Sequence, residues 1–537
     1  MPGTSILSPL HLAEIAAVTF VVYLIGLTVY RLHFSPIAKF PGPRLAALTL
    51  WYEFYHDVVR GGQYVFKIQE LHEQYGPIVR INPHELHVKD LDFYDVLYSG
   101  PGQKRDKWGW ATEMFGNSTM LPGARSPCLG HGRVVLEPTF CDSADSVPAR
   151  LGSSGFGTVS HDLHRLRRNA LNPFFSKQAI GRMEPLIRTL IEKLCVRFEG
   201  CQQTGESVNT LHAYAALTSD VITAYCFGTS YGCLDDPSWK WEWPQAMVES
   251  TRACHLNKQF KWVFPAMQAT PEWIVRKLNP AVMHLINVQK DLAHQISTMM
   301  SGTPPKNEEP NIFRELINGN LPASEKSLAR LVDEGQTMIS AGQETSSFFL
   351  QQASYFILAD ADVHARLKAE LFQAIPDPTS IPSLARLENL SYLNAVVQEV
   401  HRFSHGVVGR LERVSPDEPV QYEDWVIPAG TPVSMTSLLQ HRDPEKFPSP
   451  MQFDPERWLG QSDNARLDRY LVPFSKGTRQ CLGINLATAE IYLTLATVFR
   501  RFDMELYGTT ERDAEIVHDF FIPHGHQDSK GVRVVFK

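Results

Sequence analysis

A short loop around Cys481 carries the residue types that a thiolate ligand to iron needs. The loop, Pro473 to Gly483, leads directly into an apolar helical run that starts at Ile484. A cysteine at a helix N-terminus meets unpaired backbone N–H groups and the positive end of the helix dipole, which stabilise a thiolate. A lone cysteine is more often a small buried hydrophobe. We expect an iron ligand here because its neighbours are specialised too.

Four neighbours of Cys481 suit a bound macrocycle. Gly477 and Gly483 would let the backbone approach a flat ring closely, Phe474 would cover the sulfur side, and Arg479 is placed to pair with a propionate. Together they form the pattern Phe-x-x-Gly-x-Arg-x-Cys-x-Gly. Five specified residues at this spacing should arise by chance in about one of several thousand such chains.

This pattern resembles the haem-binding loop of the cytochromes P450, and the resemblance extends from the amino-terminal segment to the C-terminus. It implies haem b (iron protoporphyrin IX) as cofactor, Cys481 as the metal ligand, and a mainly α fold with smaller β-sheets (α+β). It also implies insertion of one oxygen atom from O2 into a small apolar substrate. The chain is similar to fungal enzymes of secondary metabolism, including trichodiene-oxygenase-like enzymes, so we expect a terpenoid or polyketide intermediate.

A second motif predicts a structural ion-pair triad. Glu399 and Arg402 stand at i, i+3 on one helical face, and Arg457 could share the Glu399 carboxylate in a bidentate network. Such a pair alone is usually a solvated helix pair, but beside the cysteine loop it resembles the family's Glu-x-x-Arg helix.

A third motif, Ala341 to Thr345, lies in an otherwise apolar helix. Glycine in a helix interior costs about 1 kcal/mol relative to alanine, so Gly342 needs a reason. The resemblance implies that this segment opens the helix to make room for dioxygen, with Glu344 and Thr345 as the catalytic acid and alcohol. The alternative is a core helix with a local kink.

Contacts to the haem propionates are predicted from basic residues. In the resemblance, His164 and Arg168 take the positions of the family's Trp-x-x-x-Arg helix, although histidine replaces tryptophan. Arg410 and Arg413 offer another cation, and the sequence does not choose between them; our prediction takes Arg413. A solvated basic helix face is the alternative for the whole cluster.

Electrons must come from another protein, because the chain contains no Gly-x-Gly-x-x-Gly dinucleotide fingerprint and no evident flavin-domain extension. The resemblance implies an NADPH–cytochrome reductase as partner. Two other functions stay open: a haem-thiolate isomerase or dehydratase that needs no reductase, and a non-catalytic haem-binding membrane protein. The pair Glu344–Thr345 argues against the first, since such enzymes need not protonate dioxygen.

Composition and the amino-terminal segment predict the protein's location in the cell. A net charge of -7 makes nucleic acid an unexpected partner, and eight scattered cysteines without paired CxxC spacing suggest a reducing environment. Residues 1–30 contain no Lys or Arg, and Arg31, Lys39 and Arg44 follow. We therefore predict a membrane anchor over 1–31, spanning about 10–30, with a monomeric catalytic domain on the cytosolic side of the endoplasmic reticulum membrane.

The remaining chain is expected to form a proline-rich hinge (32–45) and the catalytic domain (46–537). Apolar spacing predicts helices over Ser324–Glu370 and Leu486–Phe502, and strands over Ile78–Ile81 and Gln421–Ile427. An atypical insertion is predicted at 117–155, which holds five Gly, four Pro, six Ser and two Cys in 39 residues. It could be a surface insertion, a mobile lid, or translated intron sequence retained in the gene model.

Overall fold

The computed structural model describes residues 9–115, 153–278, 280–302, 311–460 and 467–537. Helices dominate these residues, and short strands form four small sheets, which confirms the predicted α+β class. The first part of the chain contains α1 (Pro9–Val29), α2 (Arg44–Leu48), α3 (Trp51–Phe54), α4 (Tyr64–Tyr75), α5 (Tyr94–Leu97), α6 (Gly109–Thr112), α7 (His161–Leu171), α8 (Lys177–Thr204) and α9 (Thr210–Phe227).

The second part continues with α10 (Glu242–Arg252), α11 (Cys254–Gln259), α12 (Val263–Ala269), α13 (Glu272–Leu278), α14 (Pro280–Ser301), α15 (Ile312–Asn318), α16 (Leu328–Ala359), α17 (Ala361–Ala374), α18 (Leu384–Leu387), α19 (Ser391–Ser404), α20 (Ser437–His441) and α21 (Ile484–Arg501). Short 3₁₀ or π turns lie at Tyr30–Phe34, Tyr55–Val59, Glu113–Phe115, Ala323–Lys326, Pro455–Trp458, Leu467–Tyr470, Gly477–Arg479 and Glu511–Asp513.

Strands are short and mostly antiparallel. They are β1 (Ile78–Arg80), β2 (Leu86–Val88), β3 (Val208–Asn209), β4 (Arg413–Val414), β5 (Val420–Tyr422), β6 (Trp425–Ile427), β7 (Pro432–Ser434), β8 (Met504–Leu506), β9 (His518–Phe520), β10 (Ile522–His524) and β11 (Arg533–Phe536). The largest sheet has the order β1-β2-β7-β4, in which β2 and β7 are parallel. The others are β3-β11-β8, the hairpin β9-β10 and the hairpin β5-β6.

The amino-terminal segment is exposed and apolar. Among the described residues, one helix is long and apolar enough to cross a membrane: it covers Pro9–Phe34, with a mean hydropathy of 2.2 and none of its apolar window buried. The predicted hinge that follows is packed on the domain rather than free. Ile37 and Phe40 are buried, and the Phe40 ring stacks on Trp425 with ring centroids 4.8 Å apart.

Two predicted elements are interrupted. The predicted helix over Ser324–Glu370 is divided at Asp360, whose side chain accepts hydrogen bonds from the N–H groups of Asp362 and Val363 and so caps α17. The predicted strand over Gln421–Ile427 is a hairpin, because Glu423 adopts a positive φ of 46° between β5 and β6. The predicted strand at Ile78 is confirmed as β1, paired with β2.

Helices α9 and α16 form the centre of the largest hydrophobic core. Most of α9 is buried, and its mainly apolar sequence suits a helix surrounded on all sides. Gly342 in α16 lies against Ile222 in α9, where a Cβ atom would come within 3.0 Å of Ile222 Cγ1. The glycine is therefore explained by close helix packing, and α16 continues through it without a break.

Most of the predicted insertion (117–155) lies outside the described residues. Its last three residues are described and pack on the domain, since Ser154 is buried and the N–H of Gly155 donates to Glu334 Oε2 at 2.9 Å. On either side of the segment, the rings of Phe115 and Phe156 are in contact, with centroids 5.1 Å apart.

Candidate active site

A cavity of about 870 Å³ lies inside the domain, and its wall contains Cys481 together with Glu344 and Thr345. Helices α7, α10 and α16, the hairpin β9-β10 and the loop before α21 contribute to the wall. The elements that carry the cysteine loop, the segment Ala341 to Thr345 and the pair His164 and Arg168 thus meet around one internal space. Its volume is within the range of small-molecule and cofactor sites.

The Cys481 side chain is exposed towards this cavity. Its backbone N–H donates to the carbonyl of Phe474 at 2.9 Å, which closes the loop, and the N–H of Gly483 faces the sulfur. Desolvation of the sulfur inside the cavity raises the pKa of the Cys481 thiol, whereas Gly483 and the Arg168 guanidinium lower it. Cys481 precedes the N-cap Gly483 instead of lying in the first turn of α21. A cation at the sulfur would favour the thiolate further.

Glycine stands at the two positions of the cysteine loop, Gly477 and Gly483, for different structural reasons. Gly477 has a φ of 75°, and a Cβ atom there would come within 2.3 Å of the Ser99 carbonyl oxygen. It is needed for packing on the chain after α5. It is not among the residues that line the cavity, and its approach to a macrocycle stays a prediction. Gly483 lines the cavity, and a Cβ atom there would meet nothing within 4 Å. Its absent side chain leaves the cavity side open. Phe474, which was predicted to cover the sulfur side, also lines the cavity.

Basic side chains line one side of the cavity. Arg479 donates to the carbonyls of Thr158 and Val159 at 2.6 and 2.7 Å, while its Nε has no hydrogen-bond partner among the described residues. Arg413 is buried and lies with its guanidinium 5.0 Å from the Tyr98 ring centroid. Lys107 adds a third cation, and its Nζ donates to the Phe156 carbonyl at 2.7 Å.

These cations repel one another. Burial and the charge of Arg413 lower the pKa of Arg479 to about 9, and burial together with Arg479 and Arg413 lowers the pKa of Lys107 strongly. Burial and the neighbouring cations lower the pKa of His164 to about 2, so its ring is neutral. Asp106 offsets part of the charge at Arg479. A ligand with carboxylate groups would relieve this repulsion.

The structure separates the two arginines between which the sequence could not choose. Arg410 is buried in another cluster, where it pairs with Glu53 and lies 3.7 Å from Asp57 and from Glu85. Arg413 lines the cavity. Arg168 also lines it, but its Nη1 donates to the Gln480 carbonyl at 2.6 Å. It therefore braces the backbone next to Cys481.

On α16, Glu344 and Thr345 face the same cavity. The Thr345 hydroxyl donates to the Ala341 carbonyl at 2.8 Å. Glu344 is buried, and its Oε1 has no hydrogen-bond partner among the described residues. Burial raises the pKa of Glu344 to about 8, which leaves it protonated at neutral pH.

The predicted triad is present in the geometry. Glu399 accepts hydrogen bonds from Arg402 and Arg457. Trp458 Nε1 also donates to Glu399, at 2.8 Å. Trp458 was missed as a partner, although it stands directly after Arg457 in the sequence. Lys107 was missed for a different reason, because it belongs to none of the motifs.

The donor set fits haem. A sulfur faces a cavity whose wall also contains several basic side chains that repel one another. The sulfur could bind the iron of a haem, and the basic side chains could pair with its two propionates. Among the described residues, no group of three or more His, Cys, Asp or Glu side chains could hold a bare metal ion. A single protein ligand suits an iron that is otherwise held by a porphyrin.

Comparison with known proteins agrees with this geometry. The family model described as "Cytochrome P450" matches residues 150–525. The chain belongs to the cytochrome P450 family. This P450 is 42% identical to cytochrome P450 monooxygenase MO6277 of Ascocoryne sarcoides, over 99% of each chain. It is 41% identical to tryptophan 6-hydroxylase fscE of Fusarium equiseti, over 98% of this chain and 97% of the relative.

The fold is also that of a solved P450. The haem domain of cytochrome P450DA superposes with a TM-score of 0.68, covering 93% of this chain and 97% of its own at 16% identity. Family membership confirms the predicted haem cofactor, the need for a separate redox partner and the identity as a P450 monooxygenase. The names of both relatives favour oxygen insertion over the isomerase and the non-catalytic alternatives.

Proposed function

We propose that this P450 hydroxylates or epoxidises a small apolar intermediate of fungal secondary metabolism, a terpenoid or a polyketide. The observation that carries the proposal is the shared cavity, whose wall contains the Cys481 sulfur and the pair Glu344–Thr345. An aromatic substrate is the second candidate. One relative is by name a tryptophan hydroxylase, and the rings of Phe115, Phe156 and Phe521 pack edge-to-face in the cavity wall.

In this proposal the Cys481 sulfur would bind the haem iron, and haem held by a thiolate would supply the oxygen chemistry. The protein's own residues manage protons and orientation. Neutral Glu344 holds a proton on its carboxyl group, and the cavity-facing Thr345 hydroxyl passes a proton on by exchanging its hydrogen bond to the Ala341 carbonyl. The apolar wall excludes water and orients the substrate.

The propionates would be held by Arg413, Arg479 and Lys107, with His164 as a neutral N–H donor. Arg168 would act indirectly, because it holds the Gln480 carbonyl beside the sulfur. The triad of Glu399, Arg402 and Arg457 would be structural. It fixes α19 against the segment around Trp458 by buried, charge-assisted hydrogen bonds.

For partners and location we infer an NADPH–cytochrome reductase as electron donor and a single-pass anchor in the endoplasmic reticulum membrane. The exposed apolar helix Pro9–Phe34 supports the anchor, and the cations Arg31, Lys39 and Arg44 favour a cytosolic catalytic domain. We expect a monomer. The structural domain would begin within the packed segment that contains Ile37 and Phe40.

We further propose that residues 117–152 are additional to the catalytic domain. The contact between Phe115 and Phe156 supports this view, because the two flanks meet without the segment. A variant that joins Gly116 to Ser153 should then bind haem as the full chain does. Peptides from 117–152 in the native protein would exclude the retained-intron explanation.

The first test of the proposed function is an absorption spectrum. The purified full chain should give the strongly red-shifted band of a thiolate-bound, reduced carbon monoxide complex, and Cys481→Ala should lose it. Cys195→Ala is the matched control, because Cys195 is a buried free cysteine in α8. Persistence of the band in Cys481→Ala would refute the assignment. With reductase, substrate-dependent NADPH oxidation and an oxygenated product are expected.

A further inference from the structure

Asn257 in α11 is a buried amide in the cavity wall that no sequence motif accounts for. It is 8% exposed and lines the same cavity as Cys481. Its side-chain amide has two N–H donors and one carbonyl acceptor, and it forms no hydrogen bond with any other described residue. Buried polar side chains are nearly always hydrogen-bonded, so an apolar residue would suit this position better if its role were packing. The amide therefore indicates a partner that the protein itself does not supply.

The wall around Asn257 is apolar and partly aromatic. Cys254 lies one turn before Asn257 on the same face of α11, in a hydrophobic cluster with Phe520. The rings of Phe115 and Phe521 pack against this cluster, and both residues also line the cavity. A small-molecule site typically combines such a wall with a few polar groups that fix the orientation of the ligand. At this wall, Asn257 is such a group.

Two neighbouring side chains of α11 fix the position of Asn257. Lys258 is buried, and its Nζ pairs with Glu53 Oε1 at 2.6 Å. His255 is also buried, and its Nε2 donates to the Asp519 carbonyl at 2.6 Å. These contacts tie α11 to α3 and to the hairpin β9-β10, so the amide is held in place before a ligand arrives. A group held in this way loses little conformational entropy on binding.

The asparagine side chain is uncharged, which limits the ligand groups that it can bind. It can donate to a carbonyl or exchange hydrogen bonds with a hydroxyl. A buried carboxylate would require a cation. The ammonium of the adjacent Lys258 is already held by Glu53, and Arg252 at the end of α10 is paired with Glu249 at 2.9 Å. A neutral oxygen group is therefore the best match.

We propose that Asn257 orients the substrate by a hydrogen bond to a neutral oxygen group, a carbonyl or a hydroxyl, on an otherwise apolar skeleton. This inference rests on the proposed monooxygenase function and narrows its substrate class. A hydrocarbon without oxygen would displace the water that solvates the amide and leave the amide unpaired. The enzyme therefore acts after the reaction that introduces this oxygen, which is either an earlier oxidation of a hydrocarbon or a carbon-chain assembly that retains carbonyl groups.

Matched pairs of probes test the proposal by binding alone. The full-length holoprotein is dialysed to equilibrium against acetylnaphthalene or ethylnaphthalene, acetylbiphenyl or ethylbiphenyl, and tetralone or tetralin. The members of each pair have similar shapes and differ in one carbonyl group. Asn257→Leu should lower the ratio of ketone affinity to hydrocarbon affinity by about tenfold in at least one pair, because the carbonyl loses its donor. A ratio that is unchanged in every pair overturns the proposal.

A stability measurement tests whether the amide is structural instead. Asn257→Leu removes no hydrogen bond among the described residues, so the midpoint of urea unfolding of the holoprotein should not fall. Asn82→Leu is the matched contrast, because Asn82 is fully buried and its Nδ2 donates to Glu53 at 3.0 Å and to Glu85 at 2.8 Å. That variant should unfold at a clearly lower urea concentration. A fall of equal size in Asn257→Leu would overturn the proposal.

The outcomes separate this inference from the proposed function. If the wild type gives the carbon monoxide band of the thiolate complex but Asn257→Leu leaves every affinity ratio unchanged, the inference fails while the function stands. If the wild type lacks that band, the proposed function fails, whereas the affinity ratios are measured without turnover and still decide the role of Asn257.

Discussion

Arg402 holds the carboxylate of Glu399 with two hydrogen bonds, 3.0 Å from Nε to Oε2 and 2.7 Å from Nη2 to Oε1. Both side chains are almost completely buried. The same guanidinium also donates to the carbonyls of His441, Pro450 and Gln452, so one side chain ties α19 to two other segments.

Loss of Arg402 should therefore lower the free energy of unfolding of the domain. Arg402→Met leaves the buried Glu399 charge with less compensation, and breaking a buried pair in this way typically costs about 3–5 kcal/mol. The midpoint of urea unfolding of the holoprotein should fall accordingly. Lys193→Met serves as control, because its ion pair with Asp235 is exposed and should contribute about 0–1 kcal/mol. Equal effects of the two substitutions would contradict a special role for the triad.

Thr345 should couple electron use to product formation. Thr345→Ala removes the hydroxyl that faces the cavity, so NADPH oxidation with reductase should continue while product per NADPH falls by about tenfold or more. Hydrogen peroxide should account for the missing electrons. Thr345→Ser retains the hydroxyl and should retain most of the coupling. Similar coupling in Thr345→Ala and the wild type would exclude a role in proton transfer.

The parts of the site that the sequence predicted are those whose partners lie close together along the chain. Glu399 and Arg402 meet because i, i+3 residues share a helix face, and the loop before Cys481 has its own fixed spacing. Lys107 could not be found in this way. It reaches the cavity because the neighbouring Asp106 forms a β-bridge with Val414, and this pairing is a property of the tertiary fold.

Other points could not be decided from the sequence because they depend on burial or backbone angles that the sequence does not reveal. In the sequence, Arg410 and Arg413 are equally good candidates for a propionate contact. In the fold, Arg410 instead pairs with Glu53 in a separate buried cluster. Gly477 was assigned to the macrocycle, and its φ of 75° and its contact with Ser99 add a second requirement for glycine that the sequence does not reveal. A helix break at Asp360 could have been predicted, because aspartate is a favoured N-cap residue.

Arg413 should slow the loss of the haem cofactor. Arg413→Met removes a buried cation from the cavity wall, and a lost charge-assisted hydrogen bond of about 1.5–3 kcal/mol should raise the rate of haem loss by about tenfold or more. Transfer of haem to an excess of an apo haem protein measures that rate. Lys177→Met, an exposed control, should not change it. Unchanged haem loss in Arg413→Met would indicate that Arg413 does not contact a propionate.

Stability should depend on pH through Glu344. Burial raises the pKa of Glu344 from 4.5 to about 8 in the folded state. Between these values the folded protein keeps a proton that the unfolded chain has released, so the free energy of unfolding falls as the pH rises. One such group contributes at most about 1.4 kcal/mol per pH unit. Glu344→Gln should flatten the fall measured by urea unfolding between about pH 5 and pH 8; an unaltered slope would show that Glu344 is ionised when folded.

The contact between Gly342 and Ile222 links two properties that could otherwise vary separately. Both residues line the cavity, and both set how closely α9 approaches α16. Volume added at one position must be given up at the other, or the helices must separate. Across related enzymes we therefore expect these two positions to change together. A change in the size of the accepted substrate should then require paired substitutions at both positions rather than one substitution alone.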